Sequence, residues 1–264
     1  MNDADISPES CRNIKLVVAY DGTAYHGWQR QPGLATVQEA IEHAVVRVVG
    51  HPLAVNGAGR TDAGVHAAGQ VANFRTTNLA IPVDKIARAV NSRCPPDAAI
   101  LSAAEAAPEF HASISAVGKT YRYRIYVGPA KPVMRFNHVY RYPPGLDVPL
   151  MAAAGRRLLG EHDFKGFAAS TDGRATTVRN VTACQVSECG DEIHVHVTGG
   201  GFLHKMVRNI VGTLLEIGRG HWAEERIDEV LATGDRRLAG PTAPANGLCL
   251  MHVFYPSNLT PTGM

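Results

Sequence analysis

Residues 55–74 read Val55-Asn-Gly-Ala-Gly-Arg-Thr-Asp-Ala-Gly-Val-His-Ala-Ala-Gly-Gln-Val-Ala-Asn-Phe74, and the fold turns on how this stretch divides. Residues 71–74 read as a strand. Ahead of them lies a loop in which Gly57, Gly59, Gly64 and Gly69 stand among small residues. Glycine suits backbone that needs positive φ or must let another group come very close. Arg60, Thr61 and Asp62 sit in the least bulky part, so two opposite charges ride on a loop pinned at its far end, and such loops tend to carry chemistry. Gly57-Ala58-Gly59 begins like the G-x-G-x-x-G dinucleotide fingerprint, but its third glycine would fall at Asp62, whose carboxylate repels a pyrophosphate. Two choices remain on the residues alone: a plain turn with a surface Arg60–Asp62 pair, or a catalytic loop.

Outward from this loop, residues 14–20 read as a buried strand that runs into Asp21-Gly-Thr-Ala-Tyr-His-Gly-Trp-Gln-Arg30, a polar and aromatic loop. Thr36-Val-Gln-Glu39 has the form of a capping box, and Val37, Ile41, Ala44, Val45 and Val48 give a helical apolar face that Gly50 and Pro52 end. Residues 53–56 lead into the central loop. Beyond the 71–74 strand, residues 81–91 read as a helix stopped near Cys94-Pro-Pro96, and 99–103 as a short strand. The succession β-α-β-β-α-β is the split βαβ pattern of ferredoxin-like folds. Its helices cover one sheet face, and RNA-recognition modules use the other.

Residues 104–112 read as a linker, which divides the chain into an N-terminal half (1–112, with a flexible tail over 1–12) and a C-terminal half (113–264, with a flexible tail over 256–264). The second half opens on Lys119-Thr-Tyr-Arg-Tyr-Arg-Ile-Tyr-Val127, an alternating strand. A helix over 147–159, a polar loop over 164–175, a hairpin pairing 178–187 with 192–198, helices over 203–217 and 224–231, and a closing strand over 247–255 complete an α+β pattern.

Hydrophobic residues at 45% with 19% charged describe a globular protein. No apolar run approaches the ~20 residues needed to span a bilayer, and the polar, acidic start is unlike a signal sequence, so the expected location is cytoplasmic. The five scattered cysteines fit neither a disulfide framework nor a zinc site. Net charge is only +2, yet residues 113–182 hold eleven Lys or Arg against four Asp or Glu, mostly arginine, as expected of a surface tracking a polyanion. His194-x-His196 places two imidazoles on one strand face, but without a carboxylate or cysteine at ligand spacing no metal is expected.

Gly57-x-Gly-Arg-Thr-Asp-x-Gly-Val-His-Ala67 resembles the signature of the tRNA pseudouridine synthase A family. Four further stretches, in the right order, do the same: Tyr20-Asp-Gly-Thr-x-Tyr-x-Gly-Trp-Gln29, Lys119-x-Tyr-x-Tyr123, Phe202-x-x-x-Met-Val-Arg-x-x-Val-Gly212, and Ala243 to Leu250. The resemblance spans about residues 14 to 255. It implies a pseudouridine synthase fold of two ferredoxin-like, RRM-like α+β halves, with a mainly antiparallel central sheet, helices outside and a basic cleft between. It also implies a homodimer, no cofactor, no metal and no membrane. The substrate implied is the anticodon stem-loop of several tRNAs, where uridine at positions 38, 39 and 40 becomes pseudouridine by C–N cleavage, uracil rotation and C–C formation.

On the same resemblance, Asp62 is the catalytic residue, Arg208 faces it across the cleft, Tyr121 packs on the target uracil, Leu248 lines the uracil pocket, and Arg60 helps evict the base and fills its place. An aspartate must be ionised to attack C1′ or C6 or to take a ribose proton, and burial alone would disfavour that, so a nearby cation is expected. On spacing alone Arg208 reads equally as a helix-surface arginine sharing a face with His204 and Lys205. Tyr121 cannot be told from Tyr123 or Tyr126, Arg60 could simply pair with Asp62, and Leu248 could be core. The 20–29 stretch is read as structure and RNA contact, not catalysis. Phe110, His111, Ala112, Ser113 and Ile114, and more loosely Ser170, Thr171, Asp172, Gly173 and Arg174, fall where family members touch tRNA. A non-catalytic RNA-binding protein and a metal-dependent nuclease are the rival functions.

Overall fold

A computed structural model describes residues 11–169 and 176–259. The chain divides into two compact units, parting between Val117 and Gly118 and again between Met251 and His252. Both are α+β with mainly antiparallel strands.

In the first unit, β1 (Arg12–Tyr20) is followed by α1 (Val37–Val49), β2 (Asn56–Gly57), β3 (His66–Thr76), α2 (Val83–Asn91) and β4 (Ala98–Ala106). β1 pairs antiparallel with β3 and with β4, and β2 pairs with the far side of β3, which gives the order β4-β1-β3-β2 of the expected βαββαβ pattern. β3 begins at His66, five residues earlier than the apolar run suggests, because Ala67 still pairs with Tyr20 of β1 across an irregularity in register that lies between Ala67 and Gln70.

Alternation sends Ile14, Leu16 and Val18 into the core, with Phe74 and Ala72 opposite Ile14 and Leu16. The other face is covered too, and here the linker reading is corrected. Residues 104–106 belong to β4, and the chain after them is bound down by two buried amides. Asn13 Nδ2 donates to the carbonyls of Ala107 (3.0 Å) and Phe110 (2.8 Å), and Asn73 Nδ2 donates to Asn13 Oδ1 at 2.9 Å. Asn73 Oδ1 accepts from the Ala112 amide at 2.9 Å, and the Tyr255 hydroxyl donates to the Ala112 carbonyl at 2.7 Å. Lys15 is buried on this face with its ammonium 5.0 Å from the Tyr255 ring and 5.7 Å from that of Phe110, and burial lowers its pKa.

α1 also departs from expectation at its start. Thr36 is extended, but its hydroxyl caps nothing and is buried without a hydrogen-bond partner. The amides of Val37 and Gln38 donate instead to the carbonyls of Gly27 (3.2 Å) and Trp28 (2.9 Å). Backbone from the 21–30 loop does the work that the capping box would have done.

The second unit opens with β5 (Gly118–Tyr126) and the short parallel β6 (Tyr140–Arg141). α3 (Val148–Arg156) follows, capped by Asp147, whose carboxylate accepts from the Leu150 amide at 2.8 Å. β7 (Gly160–Asp163), β8 (Val178–Cys189) and β9 (Glu192–Gly199) extend the sheet in the order β5-β9-β8-β7. β7 fills a stretch to which the sequence reading assigns no element, and a turn that buries Phe164 and Phe167 opens what reads as polar loop. Then come α4 (Met206–Gly218), α5 (Arg226–Thr233) and β10 (Leu248–Phe254), which opens beside β5. Among the described residues no helix is long and apolar enough to cross a membrane, and all five cysteines are free.

Candidate active site

Asp62 is half-buried on the loop between β2 and β3, and its backbone is fixed on both sides. Before it, the Thr61 carbonyl accepts from the Trp28 amide at 3.1 Å, and the Thr61 hydroxyl shares a buried 2.8 Å hydrogen bond with that of Tyr20. After it, the Gly64 amide donates to the Tyr25 carbonyl at 3.2 Å, and the Val65 amide turns back to the Asp62 carbonyl at 3.1 Å. The ends of the loop are fastened by Ala58 N–H to Val71 O (2.7 Å) and by Gln70 Nε2 to Gly59 O (2.9 Å). Arg60 is exposed.

The smallness of the loop proves to serve the protein's own contacts. A side chain on Gly57 would run into the indole of Trp28, and one on Gly27, at φ +92°, into the Thr61 carbonyl. The 21–30 loop is thus the bed on which Asp62's loop lies. His66 secures its start: 5% exposed, it accepts the Gly22 amide on Nδ1 at 3.0 Å, 3.1 Å from Asp21 Oδ1. α1 secures the entry, since buried Glu42 accepts the Val55 amide at 3.0 Å and Gln38 donates to the Val55 carbonyl at 3.1 Å. Thr61, His66, Gln38 and Glu42 have no role in the sequence reading, and Tyr20 has only the general one of its 20–29 stretch. The signal was there for Glu42, an acid flanked by Ile41 and Ala44 on the apolar face of α1.

In the second unit the tyrosines separate. Tyr123 is fully buried, its hydroxyl donates to the Pro244 carbonyl at 2.8 Å, and burial pushes its pKa up. Tyr126 is buried under the Arg135 guanidinium, 5.3 Å away. Tyr121 retains 8% exposure, with its ring edge-on to Phe202 at 5.1 Å. Tyr123 and Tyr126 thereby read as structural.

Arg208 is half-buried in the first turn of α4. Its Nε donates to the Ala243 carbonyl at 2.7 Å, and the Ala243 amide returns to the Arg208 carbonyl at 3.1 Å. Beside it, buried Asn209 donates to the Phe167 carbonyl at 2.6 Å and accepts from Thr242 (2.6 Å) and Arg236 (3.1 Å). Any side chain at Gly212 would strike the Pro241 carbonyl. Residues 241–243 therefore lie along α4 and lead to Leu248, 6% exposed at the start of β10. α4 begins at Met206, with Lys205 left-handed at φ +59°, so the shared helical face of His204, Lys205 and Arg208 is corrected: the first two precede the helix.

Of the expected tRNA contacts, Phe110 and Ala112 are buried, His111 is half-buried, and Ser113 and Ile114 are exposed, Ile114 by 82%. Ser170, Thr171, Asp172, Gly173 and Arg174 lie outside the described residues. One premise of the 194–196 reading is corrected, since a carboxylate does stand beside the imidazoles. Glu192, two residues before His194, lies 2.9 Å from its Nε2 and accepts from Arg124 Nε and Nη2, each at 2.7 Å. Burial would raise the Glu192 pKa, but hydrogen bonds from Arg124 and His194 and the charges of Arg124 and Arg135 bring it below the ordinary value.

A family model described as tRNA pseudouridine synthase matches residues 16–113 and 154–256. The curated tRNA pseudouridine synthase A 2 of Clostridium perfringens is 44% identical over 244 residues, covering 92% of this chain and all of that one. The tRNA pseudouridine synthase A of Aeromonas hydrophila is 46% identical over 247 residues, 93% of this chain and 91% of its own. Among solved structures, an archaeal box H/ACA sRNP complex is similar at a TM-score of 0.30 and 12% identity, over 76% of this chain and 53% of that one.

Proposed function

Because the chain belongs to the tRNA pseudouridine synthase family, we propose that it converts uridine to pseudouridine at positions 38, 39 and 40 of the tRNA anticodon stem-loop, with Asp62 as its catalytic carboxylate. The reaction breaks the C1′–N1 bond, turns the uracil and joins C1′ to C5. Substrate and product contain the same atoms, so no electrons are gained or lost. A carboxylate can assist by adding to C1′ or C6 or by taking a ribose proton, and each route requires the ionised form. Arg208 is assigned as the cation that keeps it so. Tyr121 stacks on the uracil, Leu248 lines its pocket, and Arg60 occupies the place the base leaves, since unstacking a base costs a few kcal/mol.

The observation that carries this reading is the immobilised backbone on either side of a half-buried Asp62, at the centre of the motif that resembles the family signature. Tyr121, incompletely buried where Tyr123 is sealed, supports the choice of stacking ring. Exposed Ser113 and Ile114 suit a tRNA contact made by that segment. A homodimer in the cytoplasm completes the reading. A turn over Val133–His138 supports the dimer, because it leaves Val133, Met134 and Phe136 exposed by 72%, 93% and 50%.

The test is pseudouridine mapping of tRNA after incubation with the wild-type protein and with Asp62→Ala. Product in the anticodon arm with the wild type and none with the variant is expected. Unchanged product with the variant would leave an RNA-binding protein, and shortened RNA whose formation stops with chelator would indicate a metal-dependent nuclease.

A further inference from the structure

We infer that Tyr20 is a positioning residue for Asp62, acting through its hydrogen bond to Thr61. This rests on the reading of Asp62 as the catalytic carboxylate. Tyr20 is the last residue of β1 and is 4% exposed, with its backbone paired to Ala67 of β3 and Ala98 of β4, so its ring stands on backbone held from both sides. The ring lies 6.0 Å from that of Trp28, which itself fills the space over Gly57 and donates its amide to Thr61. The phenol oxygen reaches Thr61 Oγ1 at 2.8 Å inside the protein. Thr61 is therefore gripped twice, by its carbonyl from Trp28 and by its hydroxyl from Tyr20, one residue before the reacting side chain.

A threonine held only at its carbonyl oxygen pivots on that one point, and such a pivot tips the peptide plane that carries the Asp62 Cα. The second bond anchors the side chain of Thr61 and restricts that pivot. Asp62 then presents its carboxylate from a backbone that does not reorganise when the flipped nucleotide arrives. Misplacing a reacting group by ~1 Å can cost about a hundred-fold in rate. Binding of the tRNA as a whole draws on many remote contacts and is insensitive to that displacement.

Single-turnover assays on a tRNA anticodon stem-loop, paired with binding measurements, test this. Tyr20→Phe removes one oxygen and keeps the ring. It should lower the single-turnover rate by roughly ten- to a hundred-fold, leaving tRNA affinity and KM unchanged. Thr61→Val should do the same from the other side of the bond, Thr61→Ser should keep most of the rate, and the double variant Tyr20→Phe/Thr61→Val should be no slower than the worse single. Thermal melting and circular dichroism establish that each is folded, and Thr61→Val carries the test if Tyr20→Phe is not. A folded Tyr20→Phe or Thr61→Val at the wild-type rate, a loss residing in KM, or multiplicative losses in the double variant would overturn the inference. Asp62→Asn in the same assay keeps the two claims apart. If it is active, the role of Asp62 fails. If it is inactive while Tyr20→Phe runs at full rate, only the role of Tyr20 fails.

Discussion

Arg208 and Ala243 hold each other twice, guanidinium Nε to carbonyl at 2.7 Å and amide to carbonyl at 3.1 Å, so the guanidinium proposed to keep the carboxylate ionised is itself clamped to a stretch of irregular backbone. A guanidinium so held has its Nε donor committed to the fold, which fixes the plane of the group. Lysine can carry the charge but cannot reproduce that fork. Arg208→Lys should lose about a hundred-fold or more in rate and melt a few degrees lower, the latter reflecting ~1 kcal/mol for a lost hydrogen bond. Kinetics and a thermal melt on one preparation measure both, and wild-type kinetics in the lysine variant would remove Arg208 from the mechanism.

Tyr121 and Tyr123 should respond in opposite ways. Tyr123→Phe leaves the Pro244 carbonyl without its donor and should cost about 1 kcal/mol of stability in a urea titration, with pseudouridine formation unimpaired once the protein is folded. Tyr121→Ala should instead reduce kcat/KM by an amount equivalent to ~1–3 kcal/mol of lost base stacking. If the two phenotypes were exchanged, the stacking ring would be Tyr123.

Gly57→Ala and Gly27→Ala should both destabilise, by about 1–3 kcal/mol, because the new methyl meets an indole in one case and a backbone carbonyl in the other. Gly27 carries the added strain of φ +92°, so it should be the worse of the two. Urea midpoints rank them. Equal and negligible shifts would mean that the 21–30 loop is not packed against Asp62's loop as described.

Stability of the second unit should decline with acid in two stages. Burial, then the charges of Arg122 and His194, lower the His196 pKa below its ordinary 6.5, so the unfolded chain takes that proton first. Its contribution is whole above pH 6.5 and is lost as pH falls from there through the lower value of the folded state. Glu192 is held below its ordinary 4.5, so its contribution is whole above pH 4.5 and lost below it as the folded carboxylate is forced to protonate. Urea midpoints from pH 8 to 3.5 should show both declines, and His196→Asn should flatten the upper one. An upper slope that persists in His196→Asn would assign it to another group.

The order of elements in the first unit was legible because Ile14, Leu16, Val18, Ile41 and Val45 follow the periods of strand and helix. What the residues could not show is which polar groups are met from far along the chain. Thr36 and Glu39 have the spacing of a cap, but the carbonyls of Gly27 and Trp28 reach the helix start first. Residues 104–112 look like a linker because their anchors, Asn13 and Asn73, sit in other strands. Glycine in Asn-Gly-Ala-Gly suggests room for a ligand, whereas at Gly57 the neighbour is Trp28. Two tyrosines on one strand face look alike until Pro244 takes the hydroxyl of one of them.

Tyr255 and Lys15 together moor residues 110–112 from beneath, so the far end of the chain buttresses a segment more than a hundred positions upstream. Trimming the protein just ahead of Tyr255 should leave β1, β3 and β4 zipped yet let Ser113 and Ile114 drift. Heightened protease sensitivity around those two residues, with the rest of the sheet still resistant, would be its mark.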